Sequence, residues 1–417
     1  MLSRIFQQSD VPPEYRSNFI HLYMDIAWFG VLSGSAINFI NVYAARLGAT
    51  GLQIGLLGAV SAIINLLIAI PSGRWIEQRH TGRAVFGASV YYRIGYLLWI
   101  FLPWLFTPEQ QIRVLILLAL LMAIPLAPLS VGFNALFASA VPAEYRAHVA
   151  GFRNITFAIA YMLTSLLSGY LLKQIAFPSG YQIVFAIGFL GAAMSSLHLY
   201  FIKPLPEESS PPPPAPAPDS VKPSGPRREL AASLRLDIWH TPYRKVLLAL
   251  FGFHLAQYLA LPLFPLYNVN VLLLNDNNIG IGTAIFYLTV LIGSTQLRQI
   301  VGKLSHKGVT GWGVIGMAVY PLALAFSHQV WQYYLISFWG GFTWAMVGGA
   351  YANYMLENIP AHDRPTHLAW YNIVLNAAIL IGSLGGPAIS NQIGLSNGLI
   401  LAAALRFLAG WAILRWG

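Results

Sequence analysis

The sequence predicts an all-α polytopic membrane protein in which twelve transmembrane helices form two pseudo-symmetric six-helix bundles. Three observations carry that reading. Of the 417 residues, 57% are hydrophobic and 9% are charged, whereas a soluble domain has about 25% charged residues. Twelve apolar runs are long enough to cross a bilayer, which takes about 20 residues of helix. Three short motifs recur in the same order in both halves of the chain.

The composition excludes a soluble enzyme, a nucleic-acid binder and a disordered chain. The net charge of +10 is strung along short connections and does not form the clustered footprint that nucleic acid requires. The chain has no cysteine, which removes disulfides and thiolate chemistry. Residues 1–18 hold Arg4, Asp10, Glu14 and Arg16 without an apolar core, so no cleavable signal peptide is expected.

Lipid cannot satisfy backbone N–H and C=O groups, so each apolar run is read as a helix. The first six spans are 19–44, 51–72, 84–106, 112–140, 147–173 and 179–202. The second six are 245–272, 280–301, 309–327, 330–357, 366–393 and 396–414. Between the sets lies Lys203–Pro242, with the run Pro211-Pro212-Pro213-Pro214-Ala215-Pro216-Ala217-Pro218. Such a run favours extended polyproline II and reads as a semi-rigid tether. The expected organisation is a bundle over 1–202, a cytoplasmic Pro-rich linker over 203–242 and a second bundle over 243–417.

Orientation follows from the basic residues. Nineteen of the 24 Lys and Arg fall on the side that holds both termini and the linker, among them Arg16, Arg79, Arg146 and Arg153. Arg46, Arg113 and Lys173 fall on the other side, and Arg93 and Arg406 lie inside spans. Basic loops stay in the cytoplasm, so both termini are expected there, in a multi-pass protein of the cytoplasmic membrane.

The halves also match each other. Tyr15-Arg16 before span 1 matches Tyr243-Arg244 before span 7, a shift of 228. Gly73-Arg74-Trp75 matches Gly302-Lys303-Leu304, a shift of 229. Pro142-Ala143-Glu144-Tyr145-Arg146 matches Pro360-Ala361-His362-Asp363-Arg364, a shift of 218. Parallel six-helix repeats of this kind are a transporter architecture, with the solute site near the midplane between them.

The segment from Tyr43 to Arg83 adds a family resemblance. Tyr43-Ala44-Ala45-Arg46-Leu47-Gly48-Ala49 leads into Gly51-Leu52-Gln53-Ile54-Gly55, and the stretch ends in Gly73-Arg74-Trp75-Ile76-Glu77 and Gly82-Arg83. This resembles the major facilitator superfamily of secondary transporters, whose loop between helices 2 and 3 runs glycine, acidic residue, glycine-arginine. Here Glu77 stands where aspartate is usual, and the second copy, Gly302-Lys303-Leu304-Ser305-His306-Lys307-Gly308, has no acidic residue. The resemblance implies a rocker-switch transporter whose bundles alternately open a central cavity lined by helices 1, 4, 7 and 10. It also implies a cytoplasmic gate motif of Gly73, Glu77, Gly82, Arg83 and Arg146, with Glu77 and Arg146 as a latch. The family's antiporters carry a glycine-rich Gly-Pro motif in helix 5. Here Gly382-Ser383-Leu384-Gly385-Gly386-Pro387 lies in helix 11 instead.

Ionisable groups in hydrocarbon are costly, so each is a functional candidate. Among the acidic residues Asp25 alone sits well inside a span, and the shift of 229 carries it onto His254 in span 7. On the family's fold the two would face each other across the pseudo-two-fold axis. A carboxylate and an imidazole at such a place bind and release protons, which makes them the candidate coupling pair. The bland alternative pairs Asp25 with His21 or Arg93 and bonds His254 to a carbonyl. Arg93 and Arg406 are expected to pack against aromatic rings or to snorkel.

Asn38, Asn134, Gln257, Tyr258, Trp344, Tyr351, Asn372 and Asn376 are candidate cavity residues, because amides and aromatic faces suit a neutral solute of mixed character. Interhelical hydrogen bonding is their alternative use. Thr366 is expected to cap span 11. No nucleotide-binding loop or metal-binding pattern occurs, so no catalytic residue, metal or cofactor is expected.

These features point to a monomeric secondary active transporter, moving a small organic solute by alternating access and coupled to protons or another ion. Its expected partners are the solute, the coupling ion and the lipid bilayer. Three alternatives stay open. A lipid or lysolipid flippase on the same fold would show a lateral portal. A polytopic membrane enzyme would need an acid/base or metal cluster. A sensor or scaffold would need more room for an output than the linker gives.

Overall fold

A backbone group in hydrocarbon has no water to bond, so its partner must come from its own helix. The computed structural model describes residues 12–205, 235–360 and 363–417, and helices account for nearly all of them. Helix α1 runs through Pro13–Leu32, a π-helical turn at Ser33–Ile37 and Asn38–Arg46. It is followed by α2 (Gly51–Glu77), α3 (Thr81–Leu105), α4 (Pro108–Ala140), α5 (Ala143–Gln174) and α6 (Ser179–Phe201). The second half opens with a 3₁₀ turn at Leu236–His240, then α7, which is broken between Tyr243–Ala260 and Leu263–Asn270. The run Asp276–Ala325 bends at Ser305, where φ is 63°, and is treated as α8 and α9. Helices α10 (Val330–Glu357), α11 (Arg364–Ile393) and α12 (Leu395–Trp416) complete the set.

Ten helices among the described residues are long and apolar enough to cross a membrane. That count takes Asp276–Ala325 as one and leaves out Val330–Glu357, which is rich in tyrosine, tryptophan and glycine. The twelve spans read from the sequence are all present. Several extend past their apolar runs at one end: α1 starts at Pro13, α5 at Ala143, and α2 reaches Glu77. The Pro211–Pro218 run lies outside the described residues. Leu236–His240, expected as extended linker, is helical because Ile238 is fully buried against Tyr243 and Val246 of α7.

The helices alternate direction. Asn18, near the start of α1, donates to Ala140 O at the end of α4 (3.1 Å) and to Lys203 O just after α6 (2.7 Å). These residues mark the terminal end of the bundle. At the opposite, distal end the incoming helices are capped tightly. Thr50 with Gln53, Thr107 with Gln110 and Gln329 with Gln332 form reciprocal boxes at the starts of α2, α4 and α10, which satisfy two orphan N–H groups each. Asn275 accepts from Asn278 N at 2.8 Å to start α8. At the start of α11 the sequence reading needs correction. The cap position is Asp363, and Thr366 lies inside the helix and donates to its carboxylate at 2.8 Å.

The halves meet along α2 with α11, α5 with α8, and the outer parts of α1 and α7. The contact is made by small residues. Pro387 has no N–H, so the carbonyl of Ser383, four residues earlier, loses its helical donor. That carbonyl lies against Gly55 of α2, where an added Cβ would stand 2.1 Å from the oxygen. Gly280 of α8 faces Ser165 O of α5 in the same way, at 2.6 Å from an added Cβ. The Gly382–Pro387 motif therefore serves two neighbours at once, since Gly382 and Gly386 press on Leu255 O and Leu259 O of α7. Polar links add to the seam. Arg46 pairs with Asp276 at 3.0 Å and donates to Leu274 O at 2.5 Å, and Ser165 Oγ donates to Gly280 O at 3.3 Å.

Two predictions follow from these contacts. Replacing Gly55 with valine should part α2 from α11, so a cysteine introduced in this cysteine-free chain at Ser383, which is 1% exposed at that contact, labels faster than it does without the valine. Equal labelling would show that the seam tolerates a side chain there. At the terminal end Arg235 pairs with Asp363 (2.8 Å) and Asp237 (3.0 Å). Hydrogen bonds from Thr366 and Arg235 hold the Asp363 carboxyl below its usual 3.8. A lowered folded value stabilises above the unfolded value and is lost as pH falls through the folded one. The gap in melting temperature between the parent and Asp363→Asn should be present at pH 7 and close below about pH 4.

Candidate functional site

A cavity of about 270 Å³ lies where the halves face each other, lined from α1, α5, α7, α8, α9, α10 and α12. Helical irregularities aim its residues. The π turn of α1 shifts the register just ahead of Asn38, a device often found at functional sites. Asn38 then donates to Ser165 Oγ at 3.2 Å and accepts from Tyr161 OH at 3.3 Å. The break in α7 at Leu261-Pro262 leaves Gln257, Leu261 and Phe264 on the wall. Tyr161 of α5 stacks on Tyr287 of α8 with ring centroids 4.0 Å apart, which links the halves at this level.

Arg406 of α12 also lines the cavity and is 2% exposed. Pro321 in α9 cannot donate to Met317 O, the carbonyl four residues back. Arg406 Nη1 takes that place at 3.1 Å, while Nη2 reaches Gln257 O at 3.4 Å. Its Nε and the side-chain oxygen of Gln257 are buried without a hydrogen-bond partner. Of the two expectations for Arg406, packing on a ring is met, with its guanidinium 5.8 Å from the centroid of the Phe264 ring, and snorkelling is corrected, because the side chain is buried beside the cavity.

A second cavity, of about 240 Å³, lies within the first half and is lined by Asp25, Arg93 and Arg153 among others. Asp25 pairs with Arg153 of α5 at 3.1 Å and accepts from Ser195 Oγ of α6 at 2.5 Å. Arg153 also donates to Leu22 O at 2.6 Å and sits over the Phe133 ring. Neither His21 nor Arg93 is the direct partner. His21 contacts His198 at 3.0 Å, and Arg93 donates to Ser196 Oγ at 2.9 Å. Arg93, expected to pack on aromatic rings or to snorkel, and Arg153, expected on the cytoplasmic side, are both buried, because the helix carries each toward Asp25 rather than toward an aqueous end.

His254 has its partner in the second half, Tyr371 OH of α11 at 3.0 Å. Asp25 and His254 are therefore each held within their own bundle. Their contacts are nonetheless related by the internal repeat. The shift of 229 carries Asp25 to His254, and the shift of 218 carries Arg153 to Tyr371. One α1–α5 type contact is an ion pair in the first half and a neutral hydrogen bond in the second.

The sequence pattern of the Major Facilitator Superfamily matches residues 26–383. The chain belongs to that superfamily. A relative, the cis,cis-muconate transport protein of Acinetobacter baylyi, is 25% identical over 297 residues, covering 68% of this chain and 67% of that one. The solved nucleoside transporter NupG, as its D323A mutant, superposes with a TM-score of 0.70 at 11% identity, over 95% of this chain and 98% of that one. A D-xylose–proton symporter gives 0.70 at 17% identity, over 96% and 97%. At such identities the two structures speak for the fold alone.

Of the cavity residues expected from the sequence, Asn38, Gln257 and Trp344 line the central cavity. Tyr258 packs beside Gly382, Tyr351 lies by the His254 ring, and Asn376 donates to Asn372 O at 2.8 Å. Asn134 and Asn372 are exposed. In the gate motif, Arg146 donates to Ala138 O and Val141 O at the end of α4, and Arg83 lines a groove with Arg79 and His80. Gly73 and Gly82 lie near the end of α2 and the start of α3, and the Glu77 side chain falls outside the description. Sequence reasoning missed Thr283, Tyr320, Tyr333 and Ser337 on the cavity wall, residue types too common in spans to signal a site.

Removing one member of a buried ion pair costs about 3–5 kcal/mol, because the other charge is stranded. Arg153→Met should therefore lower the melting temperature of purified protein clearly, and adding Asp25→Asn should restore part of the loss. A double variant no more stable than Arg153→Met would show that the pair does not act as a unit.

Proposed function

We propose that the protein is a secondary active transporter that moves a small organic solute across the cytoplasmic membrane by alternating access, with proton coupling through Asp25. The observation that carries this reading is the cavity between two six-helix halves joined by a glycine-rich seam at the distal end. The relatives named for muconate, nucleosides and xylose all handle small organic solutes, and the symporter supports protons as the driving ion. Exposed Arg79, Arg83, Arg146, Lys303 and Arg364 crowd the terminal end, which supports a cytoplasmic position for it under the positive-inside rule. The distal seam is then the closed outer gate.

Asp25 is the proton site on this reading because its charge is bound to a helix–helix contact. Protonation removes the carboxylate charge that holds Arg153, so α1 and α5 are joined differently in the two protonation states. His254 is the matching second-half group, bonded to a phenol instead of a guanidinium. The test is uptake into proteoliposomes of muconate, xylose and uridine with and without an inward proton gradient. For a solute that the parent accumulates, Asp25→Asn should lose acceleration by the gradient yet retain exchange across the membrane. Gradient-driven uptake at the parental rate would reject Asp25 as the coupling group.

A further inference from the structure

We infer that the central cavity holds its solute through a carboxylate bound by Arg406, so that the solutes are small carboxylic acids with a flat, apolar body. This rests on the transporter reading and names its substrate class. Three observations support it.

The first is an uncompensated charge. Among the described residues, Arg153 pairs with Asp25 and Arg46 with Asp276, and Arg93 lies within the field of Asp25. No carboxylate lies within ion-pair distance of Arg406 among those residues. Bridging Met317 O and Gln257 O needs hydrogen-bond donors but not a full positive charge, which any neutral donor would spare the membrane interior. An arginine is always protonated and presents a planar fork matched to a carboxylate.

The second is a pair of orphan atoms in two residues of the wall. Arg406 Nε has a proton to donate and Gln257 has an oxygen to accept, and both are buried without partners. A carboxylate satisfies the first once the guanidinium turns toward the cavity. A hydroxyl or a second, protonated carboxyl on the same solute satisfies the second. The rest of the wall includes Phe264, Phe286, Tyr287, Tyr320 and Trp344, ring faces and edges that suit a benzoate-sized or conjugated diacid body. At about 270 Å³ the space lies just below the usual range for ligand pockets, about 300–1,000 Å³, and one guanidinium balances a single negative charge.

The third is the internal repeat. The shift of 218 relates Arg406 to Gly188 of α6, which packs flush against Ala36 and Ser35 of α1. The fold is built at that place without any charge. The guanidinium is an addition of the second half.

The experiment measures binding to purified protein by melting-temperature shift and by tryptophan fluorescence, since Trp344 borders the site. The probes are benzoate, cis,cis-muconate, their amides and phenyl phosphate. Benzoate or muconate should raise the melting temperature at millimolar concentration and the amides should not. Arg406→Gln should weaken the carboxylate at least tenfold, and Arg406→Lys should weaken it less. Carboxylates and amides binding alike, phenyl phosphate binding best, none of the probes binding, or undiminished carboxylate binding to Arg406→Gln would each overturn the inference. If Arg406→Gln fails to fold, the acid–amide comparison on the parent decides alone. Uptake separates the two readings. Transport of xylose or uridine without carboxylate binding leaves the transporter standing and removes the carboxylate site. Carboxylate binding without exchange of carboxylate across proteoliposomes keeps the site and removes the transport reading.

Discussion

Everything in this bundle depends on the absence of water from its surroundings. A carbonyl released by proline, or a charge carried into a span, must be met by another part of the protein. Pro321 releases Met317 O, and Arg406 reaches in from α12 to meet it. Pro387 releases Ser383 O, which comes to lie on the bare backbone of Gly55. Arg153 is met by Asp25 and Leu22 O together. The places where helices depart from regularity are thus the places where helices are tied to one another. The central cavity lies among them.

The duplicated halves have kept a contact and changed its chemistry. Where α1 meets α5, a carboxylate and a guanidinium meet; where α7 meets α11, an imidazole and a phenol do. The sequence shifts of 229 and 218 relate the two contacts, and only the first version holds opposite formal charges. The second half has its own departure in Arg406, which stands where the first half has a glycine. Charge is therefore distributed unequally over a symmetric frame: among the described residues, Asp25 is paired with Arg153 and has Arg93 nearby in one bundle, and Arg406 has no carboxylate partner in the other.

The twelve spans, the repeat and the superfamily were legible because lipid imposes long apolar helices and leaves little else possible. Asp25 and Arg406 stood out for the same reason, as charges in places where charge is rare. What those charges touch was not legible. Arg153 sits beside loop-like neighbours in the sequence, yet ten residues of helix carry it about 15 Å from the start of α5. Arg406 belongs to helix 12, outside the set of helices 1, 4, 7 and 10 that the resemblance implies for the cavity, yet it lines the cavity and bonds Met317 O of α9. The face that α1 presents at Asn38 depends on a π turn that no residue pattern announced. Thr283 and Ser337 could equally have been bonding back to their own helices. Periodicity gives a helix its length; its rotation about its own axis comes from packing.

The seam between the halves has a kinetic side. Gly55, Gly169 and Gly280 each lie nearest to backbone atoms of the facing helix. Such surfaces exchange many weak dispersion contacts for lipid or water when they part, and no rotamer has to turn for them to separate or close again. On the alternating-access proposal, opening at this end would part those close backbone contacts and also break the few directional links that cross the seam, above all Arg46 with Asp276 and Leu274.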